Sequence, residues 1–100
     1  MKQRNVQFAL EAIEDLNSMF DWISENANAD VALGYIERIE DYCSRLDLAS
    51  ERGQLRNDIR PGLRIVGFEH RLVIAFVVVD ETVTILRVMS GRQDWQTLLT

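Results

Sequence analysis

Eight consecutive apolar residues, "LVIAFVVV" (Leu72–Val79), constrain this chain more than any other feature. Successive side chains of a strand point to opposite faces, so an unbroken apolar run needs cover on both. The run falls well short of the roughly 18 residues that a membrane-spanning helix requires. Charged pairs bracket it, Glu69-His70 before and Asp80-Glu81 after, and each can form a tight turn. The run, with Arg71 added, is therefore expected to be the central strand of a meander, residues 71–79. Strands over residues 63–68 and 82–89 flank it, the first entered through Pro61-Gly62.

The period changes in the first half. "NVQF" (Asn5–Phe8) alternates briefly and reads as a short first strand. From Leu10, the residues Ile13, Leu16, Phe20 and Ile23 recur at helical spacing, with acidic residues mostly on the other sides. "ENANAD" interrupts the pattern, and Asn28 or Asp30 is placed to cap a second helix. That helix carries Ala32, Tyr35, Ile36, Ile39, Tyr42, Cys43 and Leu46 as its apolar stripe. Two amphipathic helices with a short connection form an antiparallel helical hairpin. The expected fold is α+β: a short N-terminal strand, the helical hairpin, then a three-stranded antiparallel meander with the helices on one sheet face. One hundred residues suit one domain, residues 1–100. Residues 93–99 form either a final helical turn or a tail, and Trp95, Leu98 and Leu99 read as a small closing core.

Charge divides the chain in the same place. Residues 1–51 hold four basic and eleven acidic side chains, whereas residues 52–100 hold seven basic and five acidic ones. The net charge of −5 disfavours generic nucleic-acid binding, because that affinity comes mainly from neutralising phosphates. Any nucleic-acid contact is expected to be indirect or weak. The opening residues turn acidic at once and lack the apolar centre of a signal peptide, which leads to an expected cytoplasmic location with no membrane partner. Cys43 stands alone and rules out a disulfide framework within the chain.

Chemistry-bearing residues are sparse. Ser18, Ser24, Ser44, Ser50 and Ser90 offer hydroxyls, but the single His70 sits in a turn and no Gly-x-Ser-x-Gly elbow accompanies it. Glu37, Glu40 and Asp41 read as a solvated helix face rather than metal ligands. Gly62, Gly67 and Gly91 stand too far apart for a phosphate loop, so neither metal nor cofactor is expected. Arginines are more informative. Arg52, Arg56, Arg60 and Arg64 recur every four residues, either as a solvated, partly ion-paired loop or as an anion-binding edge. Arg87 interrupts the apolar pattern of the last strand, alternating with Val83, Ile85 and Met89, so it must emerge at the surface or be paired. Asp94 is a candidate partner. Ser90-Gly91 then turns the chain toward Arg92 and Trp95, a guanidinium fork and a large aromatic surface suited to a partner-facing rim.

The ordered set of segments resembles the RelE/ParE toxin superfamily, and its ParE branch most. "VQFALEAIEDLNSMFDWIS" is similar to the family's opening strand and helix, with Leu10 where a proline is frequent. "ALGYIERIEDYCSRLDL" resembles its second helix, "RGQLRNDIRPGLRIVGFEHRLVIAFVVVD" its loop and central hairpin, and "TVTILRVMSGRQDW" its closing strand and tail. The resemblance implies a toxin neutralised by a cognate antitoxin in a hetero-oligomer. RelE-like members cleave messenger RNA in the ribosome; ParE-like members inhibit DNA gyrase. Arg64 and Arg87 match positions where the nuclease members carry basic residues, and would be catalytic in that reading. Ser90, however, stands where many relatives have His, and the tail "GRQDWQTLLT" has no Tyr. Cleavage needs a proton acceptor and charge stabilisation at the phosphate. With the acceptor missing, the resemblance implies gyrase inhibition rather than enzymatic cleavage, or a chain attenuated to a binding module. On that reading Arg87, Ser90, Arg92 and Trp95 face the target. Arg52, Arg56, Arg60 and Arg64 face the antitoxin, and Asp94 supports the rim by orienting Arg87 or Arg92.

Overall fold

The computed structural model describes residues 5–47 and 52–99; Ser50, named above, lies outside the described residues. Its elements run β1 (Asn5–Phe8), α1 (Leu10–Asn26), α2 (Ala29–Ser44) with a 3-10 turn over Arg45–Asp47, β2 (Gln54–Leu55), β3 (Arg64–Phe68), β4 (Leu72–Val79), β5 (Thr82–Ser90) and α3 (Trp95–Leu98). The α+β architecture stands, as do the helical hairpin and the meander β3-β4-β5. Asn28, rather than Asp30, caps α2: its Oδ1 accepts from the Val31 N–H at 2.8 Å.

The sheet has five strands in the order β1-β5-β4-β3-β2 and is mixed, not purely antiparallel. β1 pairs parallel with β5, Val6 opposite Val83 and Phe8 opposite Ile85. Parallel neighbours need a long crossover, and here the helical hairpin together with the rest of the sheet supplies it. β2 is a further strand, two residues inside the polar connection, antiparallel to β3. Gly53 leads into it with φ +86°, and a Cβ there would collide with the Ile65 carbonyl oxygen, so only glycine fits.

β4 lies in the middle of the order, as its composition demands. Ile74 and Phe76 point toward the helices, where Ala12, Leu16, Ile39, Cys43 and Leu46 complete the main core with Phe68, Val83, Ile85 and Val88. Ala75 turns to the other face and joins Leu63 and Met89, covered by Ile59, Trp95 and Leu99. The second face is thus closed by a loop and a terminal turn rather than by long helices. The Leu98 side chain stays largely exposed, so Trp95 and Leu99 form that cover without it.

Registers shift once. Ala75 pairs with Arg87, whereas Phe76 pairs with Ile85, leaving Leu86 as an extra residue in β5. Such a bulge breaks the period of two. Val83, Ile85 and Val88 therefore enter the helix-side core, and Leu86 and Met89 enter the opposite one. The regular alternation of Val83, Ile85, Arg87 and Met89 expected from sequence does not hold.

Candidate functional site

The bulge sits where β5 loses a neighbour. β1 stops at Phe8, and the Ala9 N–H donates to the Ile85 carbonyl at 2.9 Å as the chain leaves the sheet. From Leu10 onward the chain is helix, and α1 passes along the edge that β1 has vacated. Asp15 shares a helix face with buried Ala12 and half-buried Met19, which carries its carboxylate to that edge. There it accepts from the Val88 N–H at 2.9 Å and takes both Nε and Nη2 of Arg87 at 2.8 Å. One carboxylate thus completes the strand edge and clamps the arginine in a bidentate fork. Both side chains are mostly shielded, 25% exposed for Arg87 and 14% for Asp15. The hydrogen bonds that Arg87 donates to Asp15, with the fields of Asp15, Glu11 and Glu14 added, raise its guanidinium above its ordinary range despite burial.

Asp94 is therefore not the partner of Arg87. Its Oδ2 accepts from the Thr97 hydroxyl at 2.7 Å, a local contact at the start of α3. Proximity in sequence suggested Asp94, but β5 runs straight through Arg87 while α1 crosses beside it. Ser90 is likewise occupied by its own turn: its N–H donates to Gln93 Oε1 at 2.8 Å and its Oγ accepts from the Arg92 N–H at 3.2 Å. Gly91 follows with its N–H on the Arg71 carbonyl at 2.8 Å, and a Cβ at Gly91 would stand 3.3 Å from that oxygen. Its role is close approach. Arg92 projects from this rim as an exposed side chain, while Trp95 is half-buried under the second face of the sheet.

The arginine row separates into different environments. Arg56 makes a bidentate pair with Asp58 at 2.9 and 2.8 Å, and its guanidinium lies 5.7 Å from the centre of the Trp95 ring. The pair raises Arg56 and lowers the Asp58 carboxyl below its ordinary range. Arg52 lies 5.9 Å over Tyr42, Arg60 is exposed, and Arg64 is half-buried on β3 opposite Phe76. Spacing by four residues does not bring them into one row, because the segment is strand, turn and strand rather than helix.

At the same end of the sheet as Ser90, the β3–β4 turn holds Glu69 and His70 at φ +50° and +59°. Arg38 of α2 forks onto Glu69 at 3.0 and 3.1 Å, drawing that carboxyl below its ordinary range. His70 is exposed. Leu72 opposite Ser90 brings this turn to the rim across a separation that sequence alone made look remote. Tyr35 and Tyr42 pack on Phe68 with ring centres at 6.4 and 5.3 Å. Burial pushes the Cys43 thiol up to about 12, which removes it as a nucleophile near neutral pH. Among the described residues, no group of three or more His, Cys, Asp or Glu side chains stands together as a metal site.

The hairpin carries a second feature. Phe8, Ile13, Leu16, Phe20 and Ile36, together with the polar Asn17 and Glu40, line an open cleft of about 420 Å³ along α1 and α2. Ile13 and Phe20, which recur at helical spacing on α1, both face the cleft, and Ile13 is 44% exposed. An apolar stripe wider than the sheet can cover was the signal for it.

Comparison with known proteins agrees with this geometry. Residues 6–95 match the family of the ParE toxin of the type II toxin–antitoxin system, parDE. Toxin ParE3 of Caulobacter vibrioides is 35% identical over 80 residues, covering 80% of this chain and 79% of that protein. A solved structure of a chromosomal ParDE toxin–antitoxin system from P. aeruginosa superposes with a TM-score of 0.76 at 20% identity, over 88% of this chain and 96% of the other. A conserved hypothetical protein from Helicobacter pylori shares the fold at TM-score 0.53 and 15% identity, over 90% and 97% of the two chains. The match to the family across β1 through Trp95, on the same strand and helix scaffold, makes this chain a member of the ParE toxin family of type II toxin–antitoxin systems.

Proposed function

We propose that this chain inhibits DNA gyrase and is neutralised by a cognate antitoxin with which it forms a hetero-oligomer. The observation that carries the choice of gyrase over messenger RNA is the Asp15 clamp. A guanidinium held bidentate by a carboxylate is already neutralised, so Arg87 has little left to offer a phosphate in a transition state. Ser90 is committed to its turn, and both tyrosines of the described chain are packed on Phe68. Arg87 then acts by holding β5, and Arg92 with the open edge of Trp95 meets the target beside Ser90. Arg52 and Arg60, both exposed, each offer a guanidinium to acidic groups of the antitoxin at separate places rather than along one row.

One observation favours the alternative of a ribosome-dependent nuclease: His70 and Arg71 stand at the same end of the sheet as Ser90 and Arg92. An imidazole is a group that can act as a general base. Two assays on the same preparation decide between the readings. Inhibited supercoiling by purified gyrase with accumulation of cleaved DNA, and intact messenger RNA in a translating extract, is the expected result. Message cleavage that is lost in His70→Ala or Arg92→Ala would make the nuclease reading correct.

A further inference from the structure

Four successive amides at the end of β5 find their partners within the protein, although Gly91, Arg92 and Gln93 are exposed. The Ser90 N–H donates to Gln93 Oε1 at 2.8 Å, and the Gln93 N–H donates back to the Ser90 carbonyl at 3.1 Å. Between them, the Gly91 N–H meets the carbonyl of Arg71, just before β4, at 2.8 Å, and the Arg92 N–H meets Ser90 Oγ at 3.2 Å. Water can satisfy exposed amides too, so these contacts contribute little net stability. What they add is order. An exposed loop tip is ordinarily among the least fixed parts of a chain, and this one is held to its own strand and to the neighbouring one. A few residues on, Trp95 packs against the second face of the sheet and anchors the chain again. Arg92 is thus the middle of a short bridge fixed at both ends. Its guanidinium makes no hydrogen bond or ion pair with another described residue.

We propose that Ser90 and Gln93 are positioning residues, which fix the backbone from which Arg92 reaches the target without touching the target themselves. The assignment rests on the target-facing rim proposed above. The two side chains close the turn from opposite ends: Ser90 Oγ reaches forward two residues, and Gln93 Oε1 reaches back three. An arginine on a loose tail loses backbone and side-chain freedom when it binds, whereas one on a locked turn loses only that of its side chain. The lock therefore favours binding through Arg92 without adding a contact. A target group that took either oxygen would compete with a bond already made. The same turn explains why a serine suits position 90: its short side chain can reach the Arg92 N–H while its own N–H stays on Gln93.

The test is a set of double-mutant cycles read in two assays: inhibition of supercoiling by purified gyrase, and growth arrest of bacteria on induced expression. Ser90→Ala removes the oxygen that holds the Arg92 N–H, and Ser90→Thr keeps it. Gln93→Met keeps the length of the side chain without its amide oxygen. Each is made alone and together with Arg92→Ala, and Gln96→Ala removes an exposed amide of α3 outside the lock. Ser90→Ala and Gln93→Met are each expected to weaken inhibition about fivefold, the scale of one lost hydrogen bond. Their melting midpoints should stay within about 4 °C of the wild type, and the two positions probe the lock independently if one variant melts lower. Ser90→Thr and Gln96→Ala are expected to match the wild type within about twofold. In the Arg92→Ala background, Ser90→Ala and Gln93→Met should each cost less than about twofold more, because the residue they aim is gone. Losses that add in full to that of Arg92→Ala mean that Ser90 or Gln93 contacts the target itself, and overturn the assignment. Single variants as potent as the wild type overturn it too and leave the gyrase reading standing, as does an equal loss in Gln96→Ala. A wild type that arrests growth without inhibiting gyrase overturns the gyrase reading instead, and the cycles read in growth arrest still decide the lock. A wild type inert in both assays overturns the two together.

Discussion

The helical hairpin and the sheet half of this protein carry opposite charges and use them in opposite ways. On α1 and α2, carboxylates such as Glu25, Glu37 and Glu40 face solvent without cations. Beyond residue 52, two of the arginines are tied down: Arg87 by Asp15, and Arg56 by Asp58 over the Trp95 ring. A planar fork with five donors is suited to such clamping, which is why arginine rather than lysine fills these places. Charge that stabilises the fold is withdrawn from recognition. What remains for a partner is mainly the acidic hairpin with its apolar cleft and the exposed arginines Arg52, Arg60, Arg71 and Arg92.

The most damaging way to break this contrast is to remove the clamp. Asp15→Ala leaves Arg87 and the Val88 N–H without their partner in a largely shielded place, and is expected to cost about 2–4 kcal/mol in urea unfolding. Asp15→Asn, which keeps one acceptor, should fall between that variant and the wild type. A cost under about 0.5 kcal/mol for Asp15→Ala would mean that Arg87 is in practice free for a partner.

Trp95 and Arg92 sharpen the comparison next. Trp95→Ala uncovers Leu63, Ala75 and Met89 and removes the ring beneath Arg56. Because Trp95 is only half-buried, the expected loss is about 2 kcal/mol, below that of a fully buried tryptophan. Arg92→Ala should leave unfolding unchanged within about 0.5 kcal/mol while reducing the proposed inhibition of gyrase at least tenfold. If inhibition by the purified Arg92→Ala chain matched the wild type, the rim would be a cap and the target would bind elsewhere.

A smaller effect concerns the β3–β4 turn. His70 occupies left-handed backbone that glycine adopts freely, so His70→Gly is expected to raise stability by about 1 kcal/mol. In a domain of this size that corresponds to a melting shift of about 4–8 °C. The same substitution removes the imidazole, and unchanged toxicity in a more stable protein would separate structure from nuclease chemistry.

The smallest expected effect is in pH dependence. Glu69 has a folded pKa below its ordinary value because Arg38 holds its charged form. Its contribution is fully present above the ordinary carboxylate range and disappears as pH falls through the depressed value. The melting difference between wild type and Glu69→Gln should therefore be constant near neutrality and vanish in acid. Both partners are exposed, so the difference should be slight. A difference that grew on acidification would show that another group carries it.

Much of the scaffold was legible in the chain because its signals are local. An eight-residue apolar run demanded a central strand, helical spacing marked α1 and α2, and Asn28 stood where a cap belongs. The partner-facing residues were less legible. Four arginines at a spacing of four looked like one surface, yet a strand, a turn and another strand send them in different directions. Asp94 looked like the partner of Arg87 because it is near in sequence.

The alternation of apolar and polar residues by itself determined the two long helices, the strands β1, β3, β4 and β5, and the place of β4 inside the sheet, since these depend on the period of the backbone; it did not show β2. Only the tertiary structure decided the parallel pairing of β1 with β5, the bulge at Leu86 and the meeting of Asp15 with Arg87. Asp15 and Arg87 are 72 positions apart, and the carboxylate reaches the arginine because β1 ends after four residues and α1 takes over its edge. No local pattern encodes where one element ends relative to another that folds beside it. The cleft on the hairpin has the same origin: α1 bears more apolar side chains than the sheet beneath it can cover.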